Sequence, residues 1–512
     1  MADKRTYPKK HSAFKTTRLR RRSGHLNRPS YTEMPSKSQP ISGEPCPPRV
    51  LLIPSAGMGH LVPFVRLAAA LSARRIDVSL LTAHPTISEA ESRLISSLPP
   101  SLVVDFPLAP LDPSLFPPSS DPFLLRMEAL RHSAHLLPPI ISASAPVSSL
   151  IVDISIASNF LPVAAAVNIP CFVLFTSSAA MLALCSVFPS YSLSSGDIDI
   201  AGVIKIPSFT FPQPLHDPNH FFKTQFVENG KALTLASGIL VNTFSALEPK
   251  VLAALNSGEV LPGLPPVIPV GPLPPARKQP SCPSPAMRWL NEQPERSVIY
   301  VSFGSRTAMS KEQIRELGAG LEMSGYRFFW VIKSKMVDRE EKGEIEELVG
   351  EGYVKRVEGR GVVVMDWVEQ EVVLAHRAVI GFLSHCGWNS MMEASAAGVR
   401  VLAWPRGGDQ RVNAAVVTAS GLGIWPEEWV WEGEEGVVVA EEIAKKMTEL
   451  MVDNGVAERV ANLAKEAAAA VAEGGSLGNG LALFRRRAGR LLSCERESVA
   501  KGAKDQQLEN YR

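Results

Sequence analysis

The chain has 512 residues, of which 45% are hydrophobic and 20% charged, and this suits two globular domains of about 200 residues each. It contains no apolar run of about 18 residues, so the sequence predicts no membrane-spanning segment. Residues 1–46 hold eleven Lys or Arg against three acidic residues, a net of +8, so the remainder carries −6 of the total of +2. This mildly acidic remainder argues against a nucleic-acid surface, and six scattered cysteines without a pairing pattern are typical of a reducing compartment, with the cytoplasm as the default.

Residues 1–46 are predicted to be a disordered basic tail, because they are rich in Arg, Lys, Ser and Pro and lack an apolar period. Met34 opens a short polar leader, MPSKSQPISGEP, before the first strand. For residues 1–33 we favour translation that starts at Met34, or an overlong gene prediction. A genuine disordered tail and an organelle-targeting peptide stay open as alternatives.

The first predicted elements are a buried strand at Val50–Pro54, the turn SAGMGH and a helix at Leu61–Ala73. The turn only partly resembles a dinucleotide-binding fingerprint, because its third glycine would fall at Val62 and no acidic residue ends the next strand. The glycines instead allow close approach of a bound molecule. The turn presents His60 at the carboxyl edge of the predicted sheet, where open α/β sheets bind ligands.

Strands and helices alternate beyond this point, which favours a parallel sheet covered by helices on both faces. Asp153 ends the strand SLIV, so it reaches the same sheet edge and could orient His60 and stabilise its charge. A helix-capping role is equally compatible with this position. Further strands are predicted at Leu102–Phe106, Leu150–Ile154, Phe172–Phe175 and Ile239–Val241.

Ten prolines between Pro262 and Pro285 mark a linker, and a second α/β series follows it. Its strands are predicted at Ser297–Phe303, Phe328–Ile332, Val362–Met365, Ile380–Leu383 and Val401–Trp404. The expected division is an N-terminal Rossmann-like domain 47–261, a linker 262–285, a C-terminal Rossmann-like domain 286–480, a helix 481–494 and a polar tail 495–512.

The segment 367–410 concentrates polar and aromatic side chains around a strand, a tight turn and a helix start. The helix start exposes unpaired N–H groups and the positive end of the helix dipole, so with His385, Asn389 and Ser390 the turn suits a diphosphate. Ser305, which follows the first strand of the second series, lies in another turn that could face phosphate.

The flanks of this segment suit the other parts of a nucleotide sugar. Trp367 offers a stacking face and Gln370 an amide for a pyrimidine, and Glu393 could accept from ribose hydroxyls. Asp409 and Gln410 suit the hydroxyls of a hexose. Taken singly, each tryptophan or histidine is more often a core residue than a ligand contact, and only the joint pattern favours a site. A zinc site is excluded because no metal-ligand spacing accompanies the nearby histidines and cysteine.

These residues resemble the signature segment of plant UDP-sugar-dependent glycosyltransferases, which begins W-x-x-Q, centres on H-C-G-W-N-S and ends in D-Q. The resemblance covers about Val50–Leu492 and implies the GT-B fold, in which two Rossmann-like domains face each other across a cleft. It implies that Trp367 stacks uracil and that His60, in G-x-G-H-x-x-P, is the general base, with Asp153 at the matching V-D position. The remaining donor contacts that it implies are Gln370 and Glu393 at uracil or ribose, His385, Asn389 and Ser390 at the diphosphate, and Trp388, Asp409 and Gln410 at the sugar.

Three local features narrow the resemblance to plant C-glucosyltransferases that act on 2-hydroxyflavanones. They are Asp121-Pro122-Phe123, the run VSFGSRTA with Arg306 where the wider family usually has glycine, and Gly398-Val399-Arg400 in place of the common G-V-P. We expect Asp121, Phe123 and Arg306 to shape the acceptor site.

The resulting hypothesis is an inverting enzyme that transfers glucose from UDP-glucose to a ring carbon of a phloroglucinol-type flavonoid and gives a β-C-glucoside. The alternatives are a phenol O-glucosyltransferase and, from another class, a non-catalytic protein that binds nucleotide sugars or small molecules. We expect no metal and no cofactor beyond the co-substrate UDP-glucose, because no carboxylate cluster is placed to hold a divalent ion. We also expect a cytoplasmic monomer.

Overall fold

The computed structural model describes residues 49–489, except 87, 113, 115, 117–121, 145, 192–195, 201–203, 276–283, 305–308, 334–343 and 430–435. Asp121, Ser305 and Arg306, which the sequence assigns to the acceptor or the donor site, lie outside the described residues.

Apolar and β-branched runs in the first half form a seven-stranded parallel sheet with strand order β3-β2-β1-β4-β5-β8-β9. Such a sheet is buried on both faces, so its strands are apolar throughout and show little alternation. Its strands are β1 (Arg49–Ile53), β2 (Asp77–Ala83), β3 (Val103–Phe106), β4 (Val147–Asp153), β5 (Cys171–Phe175), β8 (Ile239–Val241) and β9 (Val267–Pro269), and the hairpin β6 (Ile198–Ile200) and β7 (Ile204–Ile206) stands apart from it.

The second half forms a six-stranded parallel sheet with strand order β12-β11-β10-β13-β14-β15. Its strands are β10 (Val298–Ser302), β11 (Arg327–Val331), β12 (Gly361–Val364), β13 (Val379–Ser384), β14 (Arg400–Ala403) and β15 (Gly423–Ile424). The two sheets confirm the predicted α/β class with two Rossmann-like halves.

Helices alternate with the strands in both halves. In the first half they are α1 (Met58–Ser72), α2 (Glu89–Ser96), α3 (Pro122–His132), α4 (Leu137–Ala143), α5 (Ala157–Ala166), α6 (Ala179–Val187), α7 (Phe221–Ala232) and α8 (Pro249–Ser257). In the second they are α9 (Pro285–Asn291), α10 (Lys311–Met323), α11 (Ile345–Val349), α12 (Tyr353–Arg356), α13 (Gln370–Leu374), α14 (Trp388–Ala397), α15 (Gln410–Ser420), α16 (Ala440–Val452) and α17 (Asn454–Val471). Among these described helices, none has the length and apolar character needed to cross a bilayer.

The proline-rich segment differs from the irregular linker that its composition predicts. Its first part contains β9, which pairs with β8 at one edge of the first sheet, and Val270 and Leu273 after it are buried. Proline is tolerated at an edge strand because one side of such a strand needs no ladder hydrogen bond. The described chain therefore leaves the first sheet after β9.

The last described helix packs on the first half. Residues 476–489 are helical, and Leu481 and Phe484 pack into the same buried cluster as Leu52 and Phe64. The Phe484 ring meets Phe172 of β5 edge to face, with ring centroids 4.7 Å apart. The helix starts at residue 476, five residues before the predicted start.

Candidate functional site

His60 lies in the first turn of α1, directly after the glycine turn that follows β1. Gly57 has a φ of +92°, and a Cβ atom at this position would lie 2.8 Å from Cε2 of Phe123. A side chain there would therefore be strained and would collide with the phenyl ring, so the turn requires glycine. The Phe123 and His60 rings are neighbours, with centroids 5.9 Å apart, which places one predicted acceptor residue beside the predicted base.

Asp153 ends β4, the strand beside β1, and its side chain is fully buried. Its Oδ2 lies 2.9 Å from Nδ1 of His60, while its Oδ1 accepts hydrogen bonds from the backbone N–H of Ser155 at 2.8 Å and from the Ser155 hydroxyl at 2.5 Å. The carboxylate thus caps a short turn with one oxygen and holds the imidazole with the other. The two roles that the sequence left open are both present.

Electrostatics keep Asp153 charged. Burial alone raises the pKa of this carboxyl group, but the attraction of His60 and the hydrogen bonds from His60 and Ser155 outweigh burial, and the net effect lowers its pKa. A charged carboxylate accepts a hydrogen bond from the Nδ1–H group of His60, which leaves the lone pair of the ring on Nε2. Nε2 is therefore the atom of this pair that suits a general base.

The turn between β13 and α14 forms the opposite part of the site. Gly387 is the N-cap residue of α14 and has no side chain, so this position does not cap the first N–H groups of the helix. Cβ atoms on Gly304 and on Gly387 would each lie 2.7 Å from Nε2 of His385, so the imidazole is packed between two glycines. Burial lowers the pKa of His385 to about 4, and the ring is neutral at neutral pH.

Two polar atoms in this turn are buried and have no hydrogen-bond partner among the described residues. They are Nδ1 of His385 and Oδ1 of Asn389. Buried polar atoms normally find partners, so these two are the ones that a bound polar group would satisfy. His385 can contribute a hydrogen bond to a diphosphate but no positive charge, and the uncapped end of α14 is the positive element there.

Gln370, Ser390 and Glu393 form one hydrogen-bonded group. Nε2 of Gln370 donates to the Ser390 hydroxyl at 2.9 Å and to Oε2 of Glu393 at 2.8 Å. Trp367 lies three residues before Gln370 and is 53% exposed, whereas Trp404 is fully buried against Phe303 and Trp429. Of these two tryptophans, Trp367 has a face available for stacking and Trp404 is a core residue.

The predicted sugar contacts all have protein partners. Nε1 of Trp388 donates to the carbonyl of Asn242 at 2.7 Å and the residue is buried, so the indole joins the two halves. Oε1 of Gln410 accepts from the backbone N–H groups of Arg406 and Gly407 at 2.9 and 3.2 Å. Oδ2 of Asp409 accepts from Nδ2 of Asn413 at 2.9 Å and from the Ser177 hydroxyl.

Two adjacent residues after β5 connect the opposite sides of the site. The Thr176 hydroxyl lies 3.2 Å from Nδ1 of His60, and the Ser177 hydroxyl donates to Asp409. Nδ2 of Asn389 also donates to the carbonyl of Gly59, beside His60, at 3.1 Å. The structure therefore brings the predicted base, the predicted diphosphate residue and a predicted sugar residue to one place between the two sheets.

Sequence reasoning missed Arg66, Thr176, Ser177 and Asn413. Arg66 lies on α1, and its guanidinium binds Glu371 and Glu393 of the second half, each at 2.6 Å. The only sequence signal for Arg66 was its position six residues after His60 on the same predicted helix.

Among the residues that the structure describes, no group of three or more His, Cys, Asp or Glu side chains could hold a metal ion.

This chain is similar to known proteins over most of its length. The sequence model of the family described as "UDP-glucoronosyl and UDP-glucosyl transferase" matches residues 261–438. "UDP-glycosyltransferase CGT" of Oryza sativa subsp. japonica is 56% identical over 452 residues, which cover 86% of this chain and 96% of the rice protein.

Two solved structures share the fold over nearly their whole length. The crystal structure of LpCGTa in complex with UDP is 46% identical with a TM-score of 0.77, covering 86% of this chain and 99% of that one. Phytolacca americana UGT2 complexed with UDP-2fluoro-glucose and pterostilbene is 30% identical with a TM-score of 0.75, covering 86% of this chain and 100% of that one.

Proposed function

Since this chain belongs to the plant UDP-glycosyltransferase family and has its GT-B architecture, we propose that it is an inverting C-glucosyltransferase. The donor in this proposal is UDP-glucose, and the acceptor is a phloroglucinol-type flavonoid such as a 2-hydroxyflavanone or a dihydrochalcone. The product is the β-C-glucoside. The rice relative named "UDP-glycosyltransferase CGT" supports this class, and the complex with UDP-2fluoro-glucose and pterostilbene supports a nucleotide-sugar donor with a small acceptor.

One observation carries the proposal: the His60–Asp153 pair and Asp409 meet through the adjacent residues Thr176 and Ser177. A protein that only binds nucleotide sugars has no need for a buried carboxylate that orients an imidazole at the edge facing the sugar residue. A general base next to the sugar site is what transfer to an acceptor requires. The geometry therefore favours an enzyme over a binding protein.

In the donor half of the proposed site, different residues bind the base, the ribose, the diphosphate and the glucose. Trp367 stacks the uracil, Gln370 and Glu393 hold the uracil or the ribose, and the start of α14 with His385, Asn389 and Ser390 holds the diphosphate. Asp409 and Gln410 bind the glucose, with Trp388 and Ser305 completing the donor site. In this proposal helix dipole and hydrogen bonds neutralise the leaving diphosphate, so no metal is required.

The acceptor half provides the proton transfer. Nε2 of His60 removes a phenolic proton and Asp153 stabilises the imidazolium that forms, while Asp121, Phe123 and Arg306 orient the ring. The negative charge delocalises from oxygen onto the ring carbon between two hydroxyls. This carbon bonds to C1 of glucose from the face opposite UDP, and the bond from C1 to the diphosphate oxygen breaks with its electron pair leaving on UDP. The ring carbon then releases its proton to solvent and the imidazolium of His60 returns a proton to the ring oxygen, which restores the aromatic phenol. Attack from the opposite face inverts the α-linked sugar to the β anomer.

The product decides between carbon and oxygen attack. We expect a product that survives acid hydrolysis and fragments by cross-ring loss in the mass spectrometer. Clean release of glucose would identify an O-glucosyltransferase and overturn the carbon assignment while leaving the family intact.

The variant His60→Ala tests the catalytic role. We expect turnover to fall by about 10²–10⁴-fold while UDP still binds, because general base catalysis is lost and the donor half is unchanged. Turnover equal to that of the unaltered enzyme would exclude His60 as the base, and no turnover by any form would favour the binding protein.

We further propose that the protein works as a cytoplasmic monomer, which fractionation and light scattering can test.

A further inference from the structure

Arg66 is a buried cation of the first half that is bound to two carboxylates of the second half. Its side chain is 7% exposed, and Nη2 lies 2.6 Å from Oε2 of Glu371 and 2.6 Å from Oε1 of Glu393. Glu371 belongs to α13 and Glu393 to α14. Charge-assisted hydrogen bonds of this length are among the stronger polar contacts in proteins.

The charges of this cluster do not balance. One guanidinium faces two carboxylates, so one negative charge remains after pairing. Nε2 of Gln370 donates to Oε2 of Glu393 at 2.8 Å, and this hydrogen bond compensates part of the remaining negative charge. A further pair of hydroxyl donors at Glu393, whose side chain is 12% exposed, would meet more of it.

We propose that Arg66 is a positioning residue for the donor, which fixes the Glu393 carboxylate to accept hydrogen bonds from the 2′ and 3′ hydroxyls of the ribose. This inference rests on the ribose role of Glu393 in the proposed function. A glutamate side chain has three rotatable bonds, and Arg66 on one oxygen with Gln370 on the other removes that freedom before the donor arrives. Without Arg66, one carboxylate oxygen loses its anchor and the buried cluster loses its cation.

The position of Arg66 also connects donor binding to the base. His60 and Arg66 lie six residues apart on α1, about 9 Å along the helix axis at 1.5 Å per residue. The helix that presents the base therefore also holds the ribose acceptor. Asn389 and Trp388 join the two halves independently of Arg66, so the halves remain connected when Arg66 is replaced.

The test compares binding of UDP and of 2′,3′-dideoxy-UDP to the full-length enzyme by calorimetry. We expect the unaltered enzyme to bind UDP about 10-fold or more tightly than the dideoxy nucleotide, since Glu393 would lose its hydroxyl partners. In Arg66→Met we expect UDP affinity to fall by about 10-fold and dideoxy-UDP affinity by less than about 3-fold. The ratio of the UDP affinity to the dideoxy-UDP affinity should therefore fall. The KM for UDP-glucose should rise while kcat at saturating donor changes little, and Arg66→Lys should restore part of the ratio.

Glu371→Gln is the matched control. It removes the charge from the other contact of the same guanidinium across the same boundary and leaves the pair with Glu393 in place. We expect it to retain the preference for UDP. If Arg66→Met weakens both nucleotides equally, Arg66 is a brace between the halves and the proposal is wrong.

The experiment also tests the ribose role of Glu393 in the proposed function, and a failure of that role gives a different result. If the unaltered enzyme does not distinguish the two nucleotides, or Glu393→Gln keeps the preference, then Glu393 does not bind the ribose hydroxyls. If Arg66→Met does not fold, the pair Arg66→Met with Glu371→Leu removes the anchor and one unpaired carboxylate together, and buried ion pairs tolerate such apolar replacement. Full retention of the preference in that double variant would also overturn the proposal.

Discussion

The turn between β1 and α1 and the turn between β13 and α14 follow one plan, in which a buried parallel strand leads through glycine to a helix with polar side chains in its first turns. Their histidines differ because their surroundings differ. His60 faces the charged carboxylate of Asp153 at 2.9 Å, whereas His385 is packed between Gly304 and Gly387 and burial lowers its pKa to about 4. The first environment favours a ring that gains a proton, and the second favours a ring that stays neutral beside a bound anion.

Asp153→Asn is expected to have the largest effect on activity. It removes the negative charge that distinguishes the surroundings of His60 from those of His385, and it keeps the shape of the side chain. We expect kcat to fall by about 10²–10⁴-fold, since a neutral amide does not stabilise imidazolium and can present an N–H to Nδ1. UDP affinity should stay within about 2-fold, because the hydrogen bonds described for Asp153 go to His60 and Ser155 in the first half. Initial rates with saturating donor and calorimetry with UDP measure the two effects, and a parallel loss of UDP binding would show that the turns are coupled.

His385→Gln tests the other histidine through the pH dependence of stability. The pKa of His385 is about 4 in the folded protein and about 6.5 when unfolded, so between these values the unfolded chain binds more protons. The free energy of unfolding should therefore rise by up to about 3 kcal/mol from pH 4 to pH 6.5 and stay level above that range.

We expect His385→Gln to lose most of this slope in urea unfolding at a series of pH values. His135→Gln, at an exposed position, is the control and should leave the slope as it is. An unchanged slope in His385→Gln would mean that the second turn does not keep its ring neutral by burial.

The donor residues could be assigned from the sequence because most of them lie close together in the chain. Trp367, Gln370, Glu393 and Asp409 lie within 44 residues, and the strand, turn and helix that carry them are visible as local patterns. The contacts of Arg66 and Ser177 were missed because their partners lie 305, 327 and 232 residues away, and no local pattern encodes such pairings. The same limit applies to the strand order, and β9 was missed because its prolines suggested a linker.

Replacing a glycine by alanine at each of the two helix starts is expected to change the free energy of unfolding by an intermediate amount. The two changes have opposite signs. An alanine Cβ at Gly387 would lie 2.7 Å from Nε2 of His385, whereas an alanine Cβ at Gly59 would have no atom within 4 Å among the described residues. We expect Gly387→Ala to lower the free energy of unfolding by about 1–3 kcal/mol through overpacking. Gly59→Ala should raise it by about 0.5–1 kcal/mol, because alanine loses less backbone entropy in a helix. Urea unfolding measures both, and a neutral Gly387→Ala would show that the His385 ring can move aside.

Thr176→Val is expected to have the smallest effect, although Thr176 approaches the same atom of His60 as Asp153 does. Nδ1 carries one proton, and the charged oxygen of Asp153 at 2.9 Å is a stronger acceptor than the neutral hydroxyl of Thr176 at 3.2 Å. Valine keeps the branched shape, so only a neutral hydrogen bond of about 0.5–1 kcal/mol is lost, and kcat should fall by no more than about 5-fold. A loss as large as that of Asp153→Asn, measured in the same rate assay, would mean that the hydroxyl and not the carboxylate sets the tautomer of His60, and the contrast between a charged first turn and a neutral second turn would then fail at its central atom.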